Sequence, residues 1–226
     1  MNNLQLGSFV LNGQLILYLS CGAAGWLILR HRLRNLPEKN SVLSYTLDAI
    51  GLWVIVWKGS YLVFHFVEFI QYPLSLLYFD GGVKGRWLAT LAVLAYIWYR
   101  FSKLNLSFRV MVDIGVWFTF AGWTVYHVLL VIMSDHPAWF HSATAGLTVI
   151  LLITMFISQI RTKNLKGIQF AIWFLIGNIT LLFLVTERPL WLLSFSKQQI
   201  VLLVIAGFLT GWTWLDEKKQ KGVFHE

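Results

Sequence analysis

The chain has 226 residues and a mass of 26.1 kDa, with 58% hydrophobic, 16% aromatic and 12% charged residues and a mean hydropathy of +0.66. A soluble domain carries about 25% charged residues, so this composition excludes a soluble enzyme, a disordered tail and a disulfide-rich secreted module, and points to an integral membrane protein. The formal charge of +8 would argue for nucleic acid in a soluble protein, but cytoplasmic loops rich in Lys and Arg account for it here, and no nucleic-acid partner is expected.

Met1 to Val10 holds no Lys or Arg, so a secretory n-region is not expected. A membrane-crossing helix needs about 20 apolar residues. Seven such segments are predicted, at 9–29, 48–69, 84–99, 110–133, 138–160, 168–186 and 198–215. Together they make one all-α transmembrane domain over residues 1–226. Tyr18-Leu19-Ser20-Cys21 faintly resembles a lipoprotein cleavage box, but the basic cluster follows the apolar segment instead of preceding it. Cys21 therefore reads as a packed thiol, and as the single cysteine it offers neither an intrachain disulfide nor a Cys-based metal site. Arg30 to Leu47 is the longest polar stretch, a loop with a turn signal at Pro37-Glu38. The third segment is short, and Gly81, Gly82 and Gly85 at its start predict an irregular or re-entrant beginning.

Charge orients the chain. One set of connections holds Arg30, Arg32, Arg34, Lys39, Arg100, Lys103, Arg109, Arg161, Lys163, Lys166, Lys218, Lys219 and Lys221, which are 13 of the 18 basic residues. The opposite set holds only Lys84, Arg86, Arg188 and Lys197, and Lys58 lies inside a segment. The positive-inside rule puts the richer set in the cytoplasm. This predicts an outside N-terminus and an inside C-terminus, consistent with an odd number of spans.

A charge near the bilayer centre costs about 2.5–3.5 kcal/mol on insertion scales, so such residues face protein or a wet cavity. Lys58, Tyr61, His65 and Glu68 are spaced 3, 4 and 3 apart, which predicts one polar stripe on the second span. Lys58 is ten residues beyond Asp48, or about 15 Å along the helix, near the midplane. In the fourth span His127 lies 14 residues beyond Asp113, about 21 Å up. His136 and His141 flank a short outer turn, and Lys84 and Arg86 belong to the same side.

Lys58, His65, Glu68, Arg86, His127 and His136 are thus expected to border one cavity open to the outer leaflet. Its balance is cationic, and the anion that lipid supplies is a phospholipid phosphate, which Arg binds bidentately. A headgroup site for an anionic phospholipid is therefore expected. The competing reading makes Lys58 and Glu68 structural, paired with neighbouring helices or snorkelling, and His141 reads as structural on its own. Haem held by His65 and His127, or a metal on the His cluster, is a further alternative that lacks any local spacing signature. No cofactor or metal is assigned.

The order of the segments resembles the prolipoprotein diacylglyceryl transferases, seven-span bacterial membrane enzymes, from about residue 7 to the C-terminus. Lys58-Gly59-Ser60-Tyr61-Leu62-Val63-Phe64 is similar to that family's A-R-x-G-Y-V-x-F segment. Tyr72-Pro73 with Phe79-Asp80-Gly81-Gly82 is similar to its Y-x-x-P…W-E-G-G arm. Leu106-Ser107-Phe108 with Asp113, His136-Pro137, Lys166-Gly167-Ile168-Gln169-Phe170, Glu187-Arg188-Pro189 and Ser194 to Gln199 follow in the family's order.

The chain departs from the family in four places. The His after the arm's Gly-Gly is absent, and Arg86 stands there. The G-R-x-G-N signature of the fourth span is replaced by Val125-Tyr126-His127-Val128-Leu129-Leu130. Gln14 replaces an aromatic near the start of the first span, and the large outer domain after the fourth span is reduced to a few residues. The resemblance implies a bacterial plasma-membrane protein that moves diacylglyceryl from phosphatidylglycerol to the cysteine thiol of a prolipoprotein signal segment. That chemistry needs a base for the thiol and cations for the departing phosphate. His65, His127 and Glu68 are the expected catalytic groups, and Lys58, Tyr61, Arg86, His136 and Arg188 the expected substrate-binding ones. A non-catalytic relative that binds lipid or a membrane partner is the alternative.

Overall fold

The computed structural model describes residues 4–6, 9–11, 13–34, 36–72, 80–133, 138–162, 166–185, 191–192 and 194–223. A short antiparallel ribbon comes first, β1 (Leu4–Leu6) against β2 (Phe9–Leu11), with Leu4 opposite Leu11. Helices follow: α1 (Gly13–Arg32), α2 (Lys39–Phe64), α3 (Phe66–Gln71), α4 (Gly82–Lys103), α5 (Phe108–Met133), α6 (Ala138–Thr162), α7 (Gly167–Phe183) and α8 (Lys197–Val223).

Each predicted segment overlaps at least one described helix. Among the described residues five stretches are long and apolar enough to cross a membrane: Gly13–Arg32, Lys39–Phe64, Phe108–Met133, Ala138–Ser158 and Lys197–Leu215. The helix α7 is apolar but has only 17 residues. The helix α4 has 22 residues, with Lys84 and Arg86 near its start and Arg100 and Lys103 in its last turn.

Two boundaries differ from the sequence reading. The first helix starts at Gly13, because residues 9–11 pair as a strand. The second segment is not one continuous helix. His65, at φ −132° and ψ 42°, separates α2 from α3. The ladder continues on both sides, with His65 N–H on the Tyr61 carbonyl at 2.8 Å and Phe69 N–H on the His65 carbonyl at 2.9 Å. The break is therefore a one-residue kink, not an end.

The chain divides into two compact units, Met1–Ser107 and Phe108–Glu226. In the first unit α1 packs on α2, and Trp26 Nε1 donates to the Leu43 carbonyl at 3.2 Å. The helices α2 and α4 run antiparallel in extensive contact. The crossing is close because α4 presents Gly81, Gly85 and Ala89 at four-residue intervals, and small residues let backbones approach. A Cβ on Gly81 or Gly85 would overlap Ser60 Oγ. The glycines at the start of α4 thus serve helix packing, and Gly82 additionally adopts φ +59°.

In the second unit α5 packs on α6 and α7, α6 on α7, and α7 on α8. Phe120 meets Phe174 at 4.9 Å between ring centroids, and Thr124 donates its hydroxyl to Thr148 Oγ1 at 2.9 Å. Gly167 sits against Asp113, where a Cβ would lie 2.6 Å from the Asp113 Cα. The start of α8 is a reciprocal cap: Ser196 N–H donates to Gln199 Oε1 at 2.8 Å, and Gln199 N–H to Ser196 Oγ at 3.3 Å. The fully buried Gln199 also donates through Nε2 to the Ile179 carbonyl at 3.3 Å, tying α8 to α7.

Candidate functional site

The kink at His65 gathers three of the four stripe residues. The Tyr61 ring stacks on the His65 ring at 5.0 Å with 17° between planes. Tyr61 donates its hydroxyl to Glu68 Oε2 at 3.2 Å, and His65 Nδ1 lies 3.3 Å from the same oxygen. Tyr61 is buried, whereas the side chains of His65 and Glu68 are 44% and 65% exposed. A carboxylate bound at Nδ1 favours the tautomer with its proton there, which leaves the lone pair on Nε2. Glu68 thereby orients the His65 ring.

Lys58 stands one turn before Tyr61, half-exposed, with Nζ 5.9 Å from the Trp57 ring centroid. Its charge interacts with the Asp80 carboxylate. Asp80 Oδ1 also accepts the Gly82 N–H at 2.8 Å, so the same residue tethers the start of α4.

Arg86 lies one turn into α4 and donates through a terminal nitrogen to the Tyr18 hydroxyl at 2.6 Å. Tyr18 packs edge-on against Trp53 at 5.0 Å and Trp57 at 5.3 Å. Trp53 Nε1 donates to Thr90 Oγ1 at 3.2 Å, and Thr90 donates in turn to the Arg86 carbonyl at 2.8 Å. Three helices are thereby joined around the guanidinium. Lys84 adds a cation 5.9 Å from the Phe64 ring. Three cations, Lys58, Lys84 and Arg86, thus accompany two carboxylates, Asp80 and Glu68, at this end of the first unit.

His127 belongs to the second unit and is buried. Its Nδ1 lies 2.9 Å from Nδ1 of His141, amid Trp123, Tyr126 and Phe140. One Nδ1 proton serves that contact, since two would oppose each other. The buried Nε2 of His127 has no hydrogen-bond partner among the described residues. His136 and Arg188, both expected to bind substrate, lie outside the described residues. Among the described residues no group of three or more His, Cys, Asp or Glu side chains converges as a metal site.

Sequence reasoning missed Tyr18, Asp80 and His141 as partners. Tyr18 is 68 residues from Arg86, so no helical spacing links them. Asp80 is 22 residues from Lys58 and precedes a different helix, so no helical spacing links their charges. The chain matches no protein-family model, no curated protein and no solved structure.

Proposed function

We propose that this chain is a multi-pass protein of a bacterial plasma membrane that binds an anionic phospholipid of the phosphatidylglycerol kind and transfers its diacylglyceryl group to a prolipoprotein cysteine. The proposed topology has seven spans with the N-terminus outside. The observation that carries the reading is the His65–Glu68–Tyr61 arrangement at the α2–α3 kink, in the same unit as Lys58 and Arg86. The ordered motifs resembling the prolipoprotein diacylglyceryl transferases support it.

In this reaction His65 Nε2 takes the thiol proton while Glu68 holds Nδ1–H. The thiolate sulfur forms a bond to the terminal glycerol carbon of the diacylglyceryl group. The bond from that carbon to the phosphate oxygen breaks, and glycerol phosphate leaves as an anion. Lys58 and Arg86 stabilise that departing charge, which grows in the transition state. His127, His136 and Arg188 enter the proposal through the sequence resemblance.

The test is incubation of the purified chain with phosphatidylglycerol and a lipobox-cysteine peptide. A peptide that gains one diacylglyceryl group on sulfur is expected. Unmodified peptide beside correctly folded protein contradicts the catalytic reading.

The departures from the family, with no His after the arm's Gly-Gly and no G-R-x-G-N signature, favour a second reading, in which the protein binds lipid without catalysis. Arg86 donates to Tyr18, and the charge of Lys58 interacts with that of Asp80. Retention of phosphatidylglycerol by a protein that leaves the peptide unmodified is the outcome that selects it.

A further inference from the structure

At the opposite end of the first unit, the last turn of α1 and the first residue of α2 line a basic cleft. Its volume is about 360 Å³, and it is lined by Leu27, Arg30, His31, Arg34 and Lys39. That volume is within the range of about 300–1,000 Å³ in which small-molecule sites fall. No carboxylate lines it.

The lining follows from the sequence. Leu27, Arg30, His31 and Arg34 stand at i, i+3, i+4 and i+7, so one helical face carries all four. The helical path extends past Arg32, because Leu33 N–H still reaches the Leu29 carbonyl at 2.9 Å. Lys39 comes from the start of α2, which has no acidic residue in its first turn and no side-chain cap. The N-cap residue of α2, Glu38, is the nearest carboxylate in sequence and does not line the cleft, so the lining stays net positive.

The retention of Lys and Arg in the cytoplasm explains charge in this loop, but it does not require the charges to converge. Here they do converge, and next to apolar surface. Leu27 is 58% exposed, and Arg30 lies 5.5 Å from the centroid of the Trp26 ring, which its Nε1 bond to Leu43 fixes. Guanidinium groups beside an exposed leucine and an indole suit a phosphodiester with acyl chains attached. A soluble phosphate has no use for the apolar side.

We propose that this cleft binds the headgroup phosphate of an anionic phospholipid in the leaflet opposite the Lys58 site. The two places are distinct: Lys39 and Lys58 are 19 residues apart on α2, about 28 Å along its axis. Basic pockets between membrane helices take anionic headgroups in this way. The cleft does not depend on the transferase reading, and its test has no catalytic readout.

The test uses the full chain in phosphatidylcholine nanodiscs doped with a photoreactive-headgroup phosphatidylglycerol. In the wild type, crosslinks within residues 27–39 are expected. The triple variant Arg30→Gln, Arg34→Gln, Lys39→Gln, which removes charge from half-exposed and exposed side chains, is expected to lose about 100-fold in affinity for the probe at low salt. A charge-matched triple variant elsewhere, Arg100→Gln, Lys103→Gln and Arg109→Gln, is expected to keep these crosslinks. Three results overturn the proposal: wild-type crosslinks that avoid residues 27–39, equal loss in the charge-matched variant, or displacement of the lipid probe by an equimolar amount of inorganic phosphate.

Discussion

Tyr61 donates its hydroxyl to Glu68, seven residues further along the chain and across the helix break at His65. An unbroken helix would put these residues two turns apart on one face, about 10 Å along the axis. The kink at His65, with its imidazole stacked on Tyr61 and directed to the same carboxylate oxygen, makes three spaced polar residues into one contiguous group.

That group gives a graded set of activity predictions. His65→Ala is expected to lower transfer from phosphatidylglycerol to a lipobox peptide by about 10²–10⁴-fold, the usual contribution of a positioned base. Glu68→Gln is expected to cost less, because it leaves the imidazole in place with a weaker acceptor. Tyr61→Phe is expected to cost least. Initial rates from mass spectrometry of the peptide provide the check, and a His65→Ala rate equal to wild type removes His65 from the chemistry.

The crossing of α2 and α4 predicts a stability cycle. Gly85→Ala places a methyl group on Ser60 Oγ and is expected to destabilise by about 1–3 kcal/mol, the range for overpacking. Ser60→Ala removes that oxygen and leaves the new methyl 3.4 Å from the residue 60 Cβ and 3.3 Å from the Trp57 carbonyl, a residual tight contact. The double variant should therefore recover part of the loss. Gly81→Ala should be rescued less, because its added Cβ also meets the Gly85 backbone at 3.0 Å. Thermal unfolding in detergent of the single and double variants reads the coupling.

The His127–His141 contact predicts a second cycle. His141→Phe leaves the buried His127 without its Nδ1 partner and is expected to cost about 1–3 kcal/mol. Replacing both by Phe removes the stranded polar atoms together, so the double loss should fall below the sum of the singles. Strict additivity in thermal unfolding would show that the two rings are not coupled.

Arg86 separates structure from lipid binding. Tyr18→Phe removes its hydroxyl acceptor, at a cost of about 0.6–1.7 kcal/mol for a hydrogen bond within a membrane. Lipid retention should persist in that variant, because the guanidinium remains. Arg86→Gln should lose both the stability and part of the retained lipid. Equal retention in Arg86→Gln and wild type, measured by native mass spectrometry, confines Arg86 to a structural role.

Helix positions were legible because apolar runs in a lipid solvent leave little choice, and all seven segments overlap described helices. The stripe was legible for a similar reason, since Lys58, Tyr61, His65 and Glu68 interrupt an otherwise apolar run. The kink was not, because no Pro or Gly stands at residues 61–68 to announce it. Partners across helices were not legible either. Tyr18 with Arg86, Lys58 with Asp80 and His127 with His141 pair residues that do not share a helix, so no spacing along one helix reveals them. Some segments quoted for their family resemblance also have local structural duties. Gly81 and Gly85 admit Ser60, Gly167 admits Asp113, and Ser196 with Gln199 caps α8. Packing demands of this kind fix residue types without reference to a substrate.

Both functional readings rest on an anionic lipid headgroup at Lys58. Native mass spectrometry tests this most directly on the chain whose Arg30, Arg34 and Lys39 are already neutralised, so that the basic cleft does not contribute. Phosphatidylglycerol should be retained in preference to phosphatidylcholine, and the further change Lys58→Gln should abolish the preference. Identical lipid retention with and without Lys58, in folded protein, contradicts the account.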